Sequence, residues 1–283
     1  DFQGGLAFFP GDLVGPVVAE YLNADGVVVP VSANDVVDEF LKGKVLPRTK
    51  IGSPYVIRGM RAAADTRSRV VGYEANGGFL VQNEIIIGGR RLTPLLTRDA
   101  VLPILSILFS ARQRGLSLLQ LFDRLPHRFT KAGLLDHFPK EVADRMIHAY
   151  CPTDPRVKDV YFFPRGEIAA KDVLGQSVPL DDKDVRSLGE TRERLQVLFH
   201  EKSGFLGGLV QLNCLDGLRI RFGNGDVVHL RPSGNAPQIR LYACANTLER
   251  AKEIVRMGLQ KPHGFLQILT DHVGGQGGIR GQE

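Results

Sequence analysis

Apolar residues in the first half of the chain recur with two periods. Val14, Val17, Val18, Tyr21 and Leu22 are spaced for one face of a helix, with Asp12 of Gly11-Asp12 as the expected N-cap. Asp25-Gly26 then turns the chain into Val27-Val-Val-Pro-Val31, a run that predicts a short buried strand. Ser32-Ala-Asn-Asp35 predicts a cap for a helix over Val36 to Leu41. Leu46 to Ile51 is a second strand candidate, and Gly52-Ser53 opens a helix through Val56 to Ala64. Arg69 to Tyr73 predicts a third strand, ending at Glu74. A polar hairpin leads to Thr97-Arg-Asp and a nearly all-apolar helix, Ala100 to Ala111. Helices alternating with strands predict a layered α/β domain with a parallel or mixed sheet. In such sheets the ligand sits beyond the carboxyl ends of the strands, where Ser32, Gly52-Ser53 and Glu74 fall.

The second half has a different pattern. Leu116 to Pro126 is amphipathic, His127 to Phe138 reads as an irregular connector, and Asp144 to Tyr150 finishes a short helix. Four strands are then expected at Leu209–Asn213, Leu218–Phe222, Val227–Leu230 and Ile239–Ala243, with the hairpin dipeptides Asp216-Gly217 and Asn224-Gly225 between the first three. Helices over Glu190 to His200 and Thr247 to Met257 flank them. The expectation is an α/β domain over 1–138, then a smaller α+β domain with a four-stranded antiparallel sheet over 139–260. A glycine-rich tail over 261–283 is expected to fray.

At 283 residues, with 43% apolar and 24% charged positions, the chain suits two ordinary globular domains. A net charge of +5 fits an anionic substrate, but no block of like charge or exposed aromatic cluster points to nucleic acid. No apolar run approaches a membrane span, and no signal peptide is visible, so a cytoplasmic location is expected. Cys151, Cys214 and Cys244 are widely spaced and form no CxxC pair, which predicts reduced, partly buried thiols. The chain begins at Asp1 without Met, and Phe2 to Phe9 reads like a hairpin entered midway. The expectation is a portion of a longer protein.

Two turns carry the candidate chemistry. Arg231-Pro-Ser-Gly-Asn-Ala-Pro-Gln-Ile-Arg240 must reverse the backbone between two strands, because its prolines cannot continue either ladder. Such a turn can aim successive N–H groups at one anion, and a guanidinium fits two phosphate oxygens at once. Taken alone, it also reads as a plain hairpin with a surface arginine. Gly72-Tyr-Glu-Ala-Asn-Gly-Gly78 turns tightly while projecting a carboxylate and an amide, a pair suited to adjacent sugar hydroxyls. Taken alone, it also reads as a strand-end turn with a solvated Glu.

The first turn resembles the phosphate-binding loop of the α-D-phosphohexomutases, usually Arg-x-Ser-Gly-Thr-x-Pro-x-x-Arg. Arg231, Ser233, Gly234, Pro237 and Arg240 match, and Asn235 replaces the Thr. The second resembles that family's sugar loop, Gly-Glu-x-Ser-Gly-His, with Glu74 on the Glu, Asn76 on the Ser and Gly77 on the Gly; Gly78 departs from the His. Its Glu-Ala-Asn-Gly-Gly form is most similar to the phosphomannomutase/phosphoglucomutase branch. Thr49-Lys-Ile-Gly-Ser53 resembles a Thr-x-Val-Gly segment of the family's third domain. The resemblance runs from about Gly11 to about Gly258 and implies the third and fourth family domains.

It implies a mutase interconverting hexose 1- and 6-phosphates, mannose or glucose, through a phosphoserine and a 1,6-bisphosphate. Glu74, Asn76 and Gly77 would bind sugar, and Arg231, Ser233, Gly234, Asn235 and Arg240 phosphate. Ser32, Lys50 and Ser53 are weaker candidates. The family's Ser-His-Asn-Pro phosphoserine loop and its Asp-x-Asp-x-Asp-Arg loop for Mg²⁺ are absent from the chain. Catalytic serine and metal ligands are therefore expected on upstream domains, and the chain alone is expected to be inactive. The alternative is a non-catalytic phosphosugar-binding module.

Overall fold

The first apolar stripe forms a helix, α1 (Gly11–Tyr21). In the computed structural model, which describes residues 8–200, 203–234 and 236–274, its N-cap is Pro10. Asp12 is not the cap as expected; its side chain turns inward and is buried. The expected hairpin from Phe2 lies largely outside the described residues. The chain divides between Arg128 and Phe129 into two units, ten residues before the expected boundary.

In the first unit α1 is followed by β1 (Gly26–Val28), α2 (Val36–Phe40), α3 (Ser53–Ala63), β2 (Val70–Tyr73) and β3 (Phe79–Val81). Then come β4 (Ile85–Ile87), β5 (Arg90–Leu92), β6 (Leu95–Asp99), α4 (Val101–Arg114) and α5 (Leu118–Phe122). Strands β1-β2-β3-β6 form a mixed sheet in that order, parallel between β1 and β2 and antiparallel beyond. The expected second strand, Leu46 to Ile51, reduces to single parallel bridges of Val45 to Val27 and Thr49 to Pro30. Successive side chains of a strand point to opposite faces. Val27, Val71, Tyr73, Phe79 and Val81 accordingly pack with Val18 of α1 and Leu22 at its C-cap, while Val28, Val70 and Leu80 pack with Val56 and Met60 of α3. A Cβ at Gly72 would come within 2.6 Å of Val56 and Met60, so glycine there lets α3 sit close on the sheet. The N-cap of α2 is Asp35, and just ahead of it Asn34 Oδ1 accepts from the Val36 N–H at 2.9 Å.

The second unit comprises β7 (Phe129–Asp136), α6 (Lys140–His148), β8 (Asp159–Phe162), β9 (Ile168–Lys171), β10 (Ser177–Val178) and α7 (Asp182–Leu198). It continues with β11 (Leu209–Asn213), β12 (Leu218–Phe222), β13 (Val227–Pro232), β14 (Gln238–Ala245), α8 (Leu248–Leu259) and α9 (Phe265–Gly274). The four expected strands are present, but they are the middle of a larger sheet. Among the described residues eight antiparallel strands run β10-β9-β8-β11-β12-β13-β14-β7. The unit is therefore not the smaller one.

The connector expected at His127 to Phe138 is instead the edge strand β7, paired along its length with β14. Gly133 in its middle argues against a strand in the sequence. It is required because a Cβ there would meet Leu259 and Val255 of α8 at 2.5–2.6 Å. The β8–β10 meander escapes notice because its strands span four residues or fewer. Helix α7 starts eight residues before the expected Glu190, behind a capping box of Asp181 and Asp184.

The tail does not fray as a whole. Phe265, Leu266 and Leu269 of α9 enter the core, with the Phe265 ring 5.0 Å from that of Phe199. Gly275 to Gly278 lie outside the described residues. Cys151 and Cys214, 63 residues apart, form a disulfide, against the expectation of reduced thiols. The two cysteines follow α6 and β11 respectively, and only the fold brings these ends together. Cys244 is buried. Among the described residues no helix is long and apolar enough to cross a membrane.

Candidate functional site

Each unit carries one of the two candidate turns. In the first, β2 runs straight into the turn and β3 leaves it. The turn is closed by Glu74 N–H to Gly78 O at 3.2 Å and Gly77 N–H to Glu74 O at 3.0 Å. Gly77 has φ of 89°, in the left-handed region that favours glycine. Asn76 is exposed, and its Oδ1 accepts from Gly78 N–H at 3.0 Å. Its oxygen is thus committed to the turn, which leaves the amide N–H₂ to donate outward. The start of α1 backs the turn, since a Cβ on Gly11 would press on Ala75 O at 2.7 Å.

Glu74 is buried, with 7% of its side chain exposed. Ser53 Oγ, at the first residue of α3, donates to its Oε2 at 3.0 Å. Arg98, from β6, donates from Nε to Ser53 Oγ at 2.9 Å and lies 3.3 Å from the same Oε2. Both contacts fall on Oε2, so Oε1 keeps its lone pairs for another donor. Gly78, where the resemblance sets a His, is buried, and the methylenes of Arg98 take the volume a side chain would need. The structure therefore joins Ser53 to Glu74. It does not join Ser32 or Lys50 to either by hydrogen bond or ion pair; Lys50 instead faces the Tyr55 ring at 6.0 Å. Arg98 is the residue that sequence reasoning missed.

Below this turn lies a partly buried polar layer. Arg48 pairs with Asp35 at 3.0 Å and also with Asp38. Asp12 Oδ1 and the Tyr73 hydroxyl are buried there without a hydrogen-bond partner. Burial pushes the Asp12 carboxyl up to about 6, against the backbone N–H of Asn34 and the charge of Arg48, which pull it down. Burial pushes the Tyr73 hydroxyl well above its usual range.

In the second unit Arg231, the last residue but one of β13, pairs in register with Arg240 of β14, so both side chains leave one face of the sheet. Between them Ser233 N–H reaches Gln238 O and Gln238 N–H reaches Ala236 O, each at 2.8 Å. Ser233 is buried, and Gly234 is exposed with open space around it. Asn235 lies outside the described residues. Arg231 Nε donates to Asp216 Oδ1 at 3.0 Å. That bond uses one edge of the guanidinium and leaves the fork of terminal nitrogens to meet an anion. Asp216 sits in the Asp216-Gly217 turn, which sequence reading takes only as hairpin chemistry. Its carbonyl accepts from His229 Nε2 at 2.8 Å. Burial holds His229 down at about 4, so it is neutral and carries its proton on Nε2.

Residues 10–129 match the family model for phosphoglucomutase/phosphomannomutase, alpha/beta/alpha domain III, and residues 178–259 match that family's C-terminal domain. The chain is 33% identical over 245 residues to a phosphomannomutase of Salmonella muenchen, covering 87% of this chain and 42% of that protein. It is 31% identical over 252 residues to a phosphomannomutase of Sinorhizobium fredii, covering 88% and 44%. The chain thus spans less than half the length of these curated relatives. Among solved structures, an Aspergillus fumigatus N-acetylphosphoglucosamine mutase in complex with glucose 1,6-bisphosphate aligns with a TM-score of 0.50 at 12% identity. That alignment covers 99% of this chain and 46% of the other, a likeness of mixed α/β fold.

Proposed function

Because the chain belongs to the phosphoglucomutase/phosphomannomutase family, of which it carries domain III and the C-terminal domain, we propose that it supplies substrate recognition to a hexose-phosphate mutase. The substrate is a glucose or mannose 1- or 6-phosphate. Glu74 accepts hydrogen bonds from adjacent ring hydroxyls through Oε1, beside the Asn76 amide and the Gly77 backbone. The fork of Arg231, held in plane by Asp216, takes the phosphate that is not reacting. Ser233 and Gly234 line that phosphate, Arg240 adds positive charge, and Asn235 is assigned to it by the resemblance of the motif alone. A fixed distal phosphate positions the reacting one, and positioning supplies much of phosphoryl-transfer catalysis.

In this reading the phosphoryl donor is a phosphoserine on domains outside this chain. Its phosphoryl group passes to the free hydroxyl of the sugar and gives a 1,6-bisphosphate. The sugar turns over, and the other phosphoryl group returns to the serine. Magnesium belongs with those domains too. The chain by itself then binds substrate without turning it over.

The observation that carries this reading is the buried carboxylate of Glu74, held from one side by Ser53 and Arg98 at the end of β2. A solvated surface Glu needs no such support. The phosphate half is tested through Arg231. In the intact enzyme, Arg231→Ala should lower kcat/KM for glucose 1-phosphate by about ten- to a hundredfold, the loss of a charge-assisted bidentate contact. A value within twofold of the parent would remove this hairpin from the site.

A further inference from the structure

Gly78 is glycine for a reason other than backbone conformation. Its φ lies outside the left-handed region, so an alanine could adopt it. What forbids a side chain is space: a Cβ would lie 2.8 Å from Arg98 Cγ and 3.0 Å from its Cβ and Cδ. Those are root atoms of the arginine, whose backbone is held on both sides. On one side β6 pairs with β3 across a register shift between the Phe79–Asp99 and Val81–Leu95 pairs, an irregularity of the kind that re-aims a side chain. On the other, Asp99 Oδ1 accepts from the Val101 and Leu102 N–H groups at 2.8 and 3.1 Å and anchors the start of α4. Arg98 is thus steered over Gly78 and onto Ser53 and Glu74.

The inward edge of its guanidinium, Nε, is spent on Ser53 and Glu74. The side chain is still 58% exposed, against 7% for Glu74, so the terminal nitrogens reach the solvent side of the turn. Carboxylate and guanidinium there have opposite roles: one only accepts and the other only donates. A vicinal diol satisfies both, one hydroxyl hydrogen going to Glu74 while a hydroxyl oxygen receives from Arg98.

We propose that Arg98 is a specificity-determining residue of the sugar site, seated in the space that Gly78 leaves open and donating to ring oxygens beside those that Glu74 accepts from. This rests on the assignment of the turn to hexose-phosphate recognition. Gly78 and Arg98 form one unit, and either change should break it.

Titration calorimetry on the purified 283-residue chain, with glucose 1-phosphate and inorganic phosphate as separate ligands, tests this. Arg98→Ala should weaken glucose 1-phosphate about tenfold and leave inorganic phosphate unchanged, since the phosphate half does not involve it. Gly78→Ala should produce a similar loss in the parent and none further in the Arg98→Ala background. The proposal is overturned if Arg98→Ala binds glucose 1-phosphate within twofold of the parent while Glu74→Gln loses it; the turn then remains the sugar site without Arg98. It is overturned equally if the two losses add in full. If Glu74→Gln also binds as the parent does, or the parent shows no preference for the sugar phosphate, the sugar-site reading itself falls and takes this proposal with it. Should Gly78→Ala fail to fold, the Arg98→Ala arm decides alone.

Discussion

Glu74 and Arg231 are each prepared by a neighbour that leaves part of the side chain unused. Ser53 and Arg98 occupy Oε2 of Glu74, and Asp216 occupies Nε of Arg231. In both cases the remaining atoms are held in one orientation before a ligand arrives, which lowers the ordering cost of binding. Glu74→Gln keeps the shape and removes the charge. In the intact enzyme it should cut kcat/KM for glucose and mannose phosphates alike by about one to two orders of magnitude, on the order of 1.5–3 kcal/mol for a charged hydrogen bond. A thermal melt run beside the kinetics should barely move, and unchanged kinetics would take the turn out of the site. The motif residues were legible because each turn carries several matching positions in a row. Arg98 and Asp216 were not, since their partners lie 45 and 15 residues away and only the fold unites them.

At the scale of elements, α1 both backs the sugar turn through Gly11 and buries a carboxyl beneath it through Asp12. Asp12 has a folded pKa near 6 against an ordinary value of 3.8. Between those values the folded chain keeps a proton that the unfolded chain has lost, so stability falls as pH rises across the window and stays lower above it. Removing the charge should therefore stabilise the unit at pH 7.5 by up to about 3 kcal/mol, at 1.36 kcal/mol per pK unit. Melting curves of Asp12→Asn against the parent should show a Tm gain of several degrees at pH 7.5 that shrinks toward pH 4. A gain that grew toward low pH would contradict the assignment. Helical periodicity announced α1, α4 and α8, and dipeptide turns announced β11 to β13. Edge strand β7 was hidden by Gly133, whose purpose is contact with Leu259 and Val255 rather than local propensity. Helix α9 was hidden because Phe265, Leu266 and Leu269 stand before a glycine-rich stretch that drew the reading.

For the whole chain, the proposed function divides phosphosugar recognition between the two units: acceptor chemistry for hydroxyls in the first, donor chemistry for phosphate in the second. Glucose and mannose both present equatorial hydroxyls at C3 and C4, so one carboxylate can serve either sugar. Galactose inverts the C4 hydroxyl and should lose part of that grip. The most direct measurement is titration calorimetry of the 283-residue chain with glucose 1-phosphate, mannose 1-phosphate, galactose 1-phosphate and inorganic phosphate. The expected result is that the glucose and mannose esters bind about equally, galactose 1-phosphate about tenfold more weakly, and inorganic phosphate more weakly still. Equal affinity for all four ligands would contradict it, because the sugar turn would then contribute nothing to recognition.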